Sequence, residues 1–135
     1  MHRFHRLLSF TTSSPPSNDN CSGATSLPCG TSNLAGTTVN AVSETAPNAS
    51  TTGTMGVWYS FVGDGQQTTI TIVQSLDTRL LVLTSSTNAC GGTYTTVANV
   101  DNVTSTNETT TFTTTNGTTY YVYVGYYTSG SNTGT

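Results

Sequence analysis

Lysine is absent, and charged residues of every kind make up 7% of the chain against about 25% in an ordinary globular domain. The basic residues are Arg3, Arg6 and Arg79, so from residue 11 onward one positive charge faces six carboxylates. Such a surface has nothing with which to neutralise a phosphate backbone or hold anionic lipid, which excludes nucleic-acid and membrane-surface partners. Histidine is confined to His2 and His5, leaving none beyond residue 10. A Ser-His or Cys-His nucleophile pair therefore has no base within the body of the chain, and no catalytic residue is expected. No apolar run approaches the 18 or so residues that span a bilayer. Leu7-Leu8-Ser9-Phe10 is too short for the apolar centre of a secretory leader, and no small-residue cleavage site follows it.

What is abundant is hydroxyl: 32 Thr and 16 Ser, against 25 residues of Leu, Ile, Val and Phe together. That apolar share alone suits a disordered chain, but disorder also brings charge, and here the apolar residues cluster in short β-branched and aromatic runs. At 135 residues one domain is expected. Residues 1–17 divide from it as a basic, apolar decamer followed by a Pro/Ser/Thr linker, Thr11 to Ser17, and the folded domain is placed at 18–135.

Within that domain apolar residues recur with a period near two, between Gly, Asn, Asp and Ser. Strands are predicted at Ala35 to Val42, Val57 to Val62, Thr68 to Gln74, Thr78 to Thr84, Tyr94 to Val100, Thr109 to Thr115 and Thr119 to Tyr127. Seven short strands without a helical segment make an all-β sandwich, jelly-roll or immunoglobulin-like, the leading fold class, with a closed barrel as runner-up. Asn116-Gly117 predicts a hairpin between the last two strands. A three-residue loop there sets Phe112 opposite Val122, so that Tyr120, Val122 and Val124 join Phe112 toward the core.

The carboxylates Glu44, Asp64, Asp77, Asp101 and Glu108 are the candidates for a glycosidase pair, but they fall mostly at turns, where Asp bonds its own backbone. Neither a spaced calcium loop nor a Cys/His zinc set is present, so no metal or cofactor is expected. Tyr120, Tyr121, Tyr123, Tyr126 and Tyr127 crowd one strand; outward members offer a platform for sugar rings, though strand propensity and core filling account for them first. Sequons for N-glycosylation stand at Asn20, Asn48, Asn102, Asn107 and Asn116. Their number is near chance for so hydroxyl-rich a chain; their setting is informative, because Asn48, Asn102, Asn107 and Asn116 lie at predicted turns where a glycan is accessible.

Three cysteines, Cys21, Cys29 and Cys90, permit one internal disulfide and leave one thiol over. The hydroxyl-rich, charge-poor composition suggests export, where a bridge persists; the alternative is three buried thiols of a cytosolic protein. The expected bridge is Cys21 to Cys29, closing a short loop, because Cys90 follows a different strand.

In Asn18-Asp19-Asn20-Cys21, Cys29-Gly30, Val57-Trp58-Tyr59-Ser60-Phe61, Asp77-Thr78-Arg79-Leu80 and Gly117-Thr118-Thr119-Tyr120-Tyr121 the chain resembles the secreted pre-peptidase C-terminal domains of extracellular bacterial proteins. The resemblance runs from about residue 18 to 127 and implies a jelly-roll sandwich acting as an accessory, adhesive or targeting module without catalysis of its own. Two departures matter. The second cysteine that such domains carry shortly after the position of Cys90 is lacking, which leaves the partner of Cys90 open. Their closing strand is lacking too, since 128–135 holds no apolar side chain. A sandwich without its last strand exposes an edge and a strip of core.

Phe4, Leu8 and Phe10 share one face of an extended strand, interrupted by Arg6, and are the candidates to cover that strip in a neighbouring subunit. Such a contact repeated head to tail builds an open filament. The expected function is thus a structural subunit of an extracellular, glycosylated fibre assembled by strand donation, its partners being other copies and attached glycans. The alternative is a non-catalytic carbohydrate-binding or adhesive module of a larger secreted protein.

Overall fold

The computed structural model describes residues 13–42, 54–74, 77–102 and 106–126. They form an all-β sandwich. After a single 3-10 turn at Cys21–Gly23 come β1 (Thr25–Ser26), β2 (Thr54–Val62), β3 (Gln67–Ile72), β4 (Thr78–Ser85), β5 (Tyr94–Val100), β6 (Glu108–Thr113) and β7 (Thr119–Tyr126). A five-stranded sheet has the order β1-β2-β7-β4-β5, and a two-stranded sheet, β3-β6, lies against one of its faces.

The two central strands owe their place to unbroken apolar runs. Leu80 to Leu83 in β4 and Tyr120 to Val124 in β7 are buried on both faces, as a strand covered from two sides requires. The even members Leu80, Val82, Tyr120, Val122 and Val124 join Val57 on the inner face, against Ile70, Ile72 and Phe112 of the small sheet. The odd members Leu81, Leu83, Tyr121 and Tyr123 join Trp58 on the outer face. There Trp58 meets Tyr123 edge-on at 5.1 Å, under a cover made by Cys21, Ala24, Cys90 and Tyr94. β3 and β6 alternate instead, exposing Thr69, Thr71, Thr109 and Thr111 and turning Ile70 and Phe112 inward.

Phe112 does share a core face with Tyr120, Val122 and Val124, but not through a hairpin. β6 pairs with β3 and β7 with β2 and β4, so the Asn116-Gly117 turn carries the chain from one sheet to the other. Residues 63–66, which take β2 across to β3, run beside it. The Gly63 N–H donates to the Thr118 carbonyl (2.8 Å) and the Gly117 N–H to the Gly63 carbonyl (2.9 Å). Between the two crossings the buried Thr114 hydroxyl donates to the Gln66 carbonyl and accepts the Gly65 N–H. Gly117 takes φ 78° but Asn116 takes no positive φ, so the turn is not the type I′ turn of a tight Asn-Gly hairpin.

The predicted strand at Ala35 to Val42 is not formed. Its hydroxyls bond its own backbone: the Val39 N–H donates to Thr37 Oγ1, the Ala41 N–H to the Thr38 carbonyl, and Asn40 adopts a left-handed φ of 63°. The Val42 N–H is held by Asp19 Oδ1 at 2.8 Å.

The disulfide also differs from the expected one. Cys21 is bonded to Cys90 across 69 residues, and Cys29 is a free, exposed thiol. The chain path explains why. Cys21 and Ala24 pack on the outer face, β1 runs along the edge of β2, and the segment from Leu27 onward lies on the inner side. Cys21 and Cys29 are thus on opposite sides of the sheet edge, whereas the β4–β5 connection brings Cys90 to the outer face beside Cys21.

Candidate functional site

Because the small sheet is two strands wide and the large one five, part of the inner face is left to a loop. β6 contacts β4 and β5, so the small sheet sits toward that side, and over β2 the cover is residues 27–38. Between this loop and β3 lies an open cleft of about 860 Å³. Its floor is apolar, made by Val57, Tyr59 and Phe61 of β2 with Val122 and Val124 of β7. The loop wall includes Cys29, Asn33 and Leu34; the other wall is β3 itself, with Asp64 and Tyr126 also on the lining. Leu34 is 50% exposed, Val62 65% and Val73 82%, so part of the rim is apolar as well.

Among the described residues the β3 wall is an edge that pairs with β6 on one side alone. The Thr114 N–H bonds the Gln66 carbonyl at 2.9 Å, and the register from Gln67 opposite Thr113 to Ile72 opposite Glu108 is unbroken. Alternation of an antiparallel ladder then directs the main-chain groups of Thr68, Ile70 and Ile72 to β6. Those of Gln67, Thr69 and Thr71 point away from it, toward the cleft. Inside, Tyr59 is half-buried against Gly36; burial pushes its hydroxyl above the ordinary value, opposed by its hydrogen bond with Asn18. The phenol is therefore neutral at physiological pH. Asp64 accepts the Gln66 N–H, lies 3.3 Å from Thr114 Oγ1 and has no cation beside it among the described residues, where Arg79 is the only Lys or Arg.

Arg79 is occupied elsewhere. It is buried and bonds Asp101 at 2.9 Å and Asn99 at 3.0 Å. Beside this pair Glu108 is fully buried, both its oxygens accepting the Asn102 N–H at 3.0 Å. Desolvation raises the Glu108 carboxyl above the usual range; the Asn102 bond opposes this, and Asp101 and Asp77 push it up further. These carboxylates belong to the β4–β5–β6 end, whereas Asp64 stands at the β2–β3 crossing, and Glu44 lies outside the described residues. Among the described residues no group of three or more His, Cys, Asp or Glu is placed to hold a metal ion.

Of the clustered tyrosines, Tyr120, Tyr121 and Tyr123 are buried, Tyr120 stacking on Phe61 at 5.2 Å. Tyr126 is half-buried on the cleft lining, and Tyr127 is outside the described residues. Asn20, Asn102, Asn107 and Asn116 are exposed, and Asn102 donates its amide to the Asn107 carbonyl. Asn48 and the expected assembly residues Phe4, Leu8 and Phe10 lie outside the described residues. The sequence reading missed the loop wall of the cleft, although Pro28, Gly30, Ser32 and Asn33 are turn formers in close succession. Compared with protein-family models, with curated proteins and with solved structures, the chain matches none.

Proposed function

We propose that this protein is a structural subunit of an extracellular, glycosylated fibre, in which the cleft beside β3 accepts a strand lent by the next copy. The observation that carries the reading is the edge of β3, without a partner strand among the described residues, standing over the apolar floor of Val57, Tyr59, Phe61, Val122 and Val124. A strand laid there gains main-chain bonds from the edge and apolar burial from the floor, the two components of strand addition. Phe4, Leu8 and Phe10 contribute on the order of 1.5 to 3 kcal/mol each when buried, less the entropy of ordering the segment. The Cys21–Cys90 disulfide supports an oxidising, extracellular setting. Deleting residues 1–12 should abolish fibres in the electron microscope, and adding that peptide in trans should return a stable monomer. A deletion variant that assembles normally removes the reading.

A second reading keeps the same cleft and changes its occupant. Asn33, Asp64 and Gln67 bring polar groups to a cleft that also holds Tyr126, a composition suited to a saccharide. The resemblance to pre-peptidase C-terminal domains points the same way, to a non-catalytic binding module. Retention of a monodisperse monomer on a polysaccharide column, with no fibre, favours it.

A further inference from the structure

We infer that the donated strand enters parallel to β3, in a register set by an ion pair between Arg6 of one copy and Asp64 of the next. The inference rests on the strand-donation reading above and adds the direction and alignment of the strand.

Charge supplies the first constraint. Asp64 lines the cleft without a cation among the described residues, and apart from the buried, paired Arg79 the chain's arginines are Arg3 and Arg6, both in the proposed donor. Parity supplies the second. β3 turns Thr68, Ile70 and Ile72 inward, and a donor that buries Phe4, Leu8 and Phe10 turns Arg6 inward with them. Inward residues of adjacent strands lie side by side, so even numbers face even numbers.

Direction then follows from what Arg6 brings after it. With Arg6 beside Gln66, which the bend at Gly65 separates from Asp64, a parallel strand sets Leu8 beside Thr68 and Phe10 beside Ile70, over the apolar floor. An antiparallel strand anchored at the same point sets Phe4 beside Thr68 and His2 beside Ile70, and carries Leu8 and Phe10 out past the β2–β3 crossing. The parallel strand also fits the free main-chain groups. In a parallel pair each bonding residue joins the two neighbours of its opposite number. Thr69 would donate its N–H to the Leu8 carbonyl and accept the Phe10 N–H, and Gln67 and Thr71 would repeat the pattern on either side.

Cysteine trapping in the full-length chain tests this. Ser9→Cys with Thr69→Cys places two outward-facing residues directly opposite in the parallel register, at a strand spacing a disulfide accepts. Arg3→Cys with Thr69→Cys does so in the antiparallel one. After mild oxidation, non-reducing digestion and mass spectrometry should find residue 9 joined to residue 69 between subunits, and residue 3 not joined. The reverse result overturns the parallel register while leaving strand donation standing. A 9–69 bond within one chain, a bond from residue 9 to Cys29 in its place, or fibres in which neither pair forms also overturns the inference. Absence of any multimer from the unsubstituted chain overturns strand donation itself. Arg6→Asp should slow assembly about fivefold, as expected for one ion pair, and Asp64→Arg should restore it in the double variant. A swap that restores nothing rules out the pair.

Discussion

Glu108 shows how one side chain makes this sandwich sensitive to pH. It is fully buried, bonded to the Asn102 N–H and faced by Asp77 and Asp101, and its carboxyl is raised above the usual value. A raised carboxyl means the folded state binds its proton more tightly than the unfolded chain. The stabilisation is therefore complete below the ordinary carboxylate range and is lost as pH rises through the folded value. Thermal melts should move upward as the pH falls from 7 toward that range, and Glu108→Gln should flatten the dependence; an unchanged slope in the variant contradicts the assignment. Gly56 makes a second prediction at this scale. A Cβ there would run into the ring of Tyr123, which is fully buried under Trp58. Gly56→Ala should cost about 1–3 kcal/mol in denaturant unfolding, an overpacking penalty, and unchanged stability would contradict the contact.

Among the elements, the disulfide separates the three cysteines by consequence. The Cys21–Cys90 bridge ties the segment over the outer face to the β4–β5 connection, closing about half of the chain into one loop. Cys90→Ser should lower stability by about 2–5 kcal/mol, and Cys29→Ser should change it by less than about 0.5 kcal/mol. Peptide mapping without reduction should recover residues 21 and 90 in one linked fragment. Spacing along the chain could not reveal this pairing, because it depends on which side of the β2 edge each cysteine reaches. Where local pattern was sufficient, the strands were legible: Tyr94 to Val100 coincides with β5, and the apolar run of β4 is placed within a residue. The Asn116-Gly117 turn was legible as a turn but not as a crossing between sheets, since the same two residues serve both. Parity within β7 puts Tyr120, Val122 and Val124 on one face, but Phe112 reaches that face from the other sheet and not through the hairpin register the sequence suggested. The cleft was out of reach, because it exists only where a loop with no periodicity covers part of a sheet.

For the whole molecule the decisive feature is the mismatch in sheet width among the described residues, which leaves a cleft of about 860 Å³ and a strand edge without a partner among them on one side of the sandwich. The exposed sequons Asn20, Asn102 and Asn107 lie at turns and in the segment before β1, whereas Asn116 stands beside Gly65 at the β2–β3 crossing. Native protein should carry glycan at one or more of these positions, and its mass should fall on enzymatic deglycosylation. The proposed acceptor role has a direct probe in amide hydrogen exchange, read residue by residue along β3 in the full-length chain, first dilute and unassembled, then assembled. Thr68, Ile70 and Ile72 already bond β6 and should change little. The account predicts that the amides of Gln67, Thr69 and Thr71 exchange rapidly before assembly and become protected on assembly. Equal exchange at those three positions in both states would contradict it.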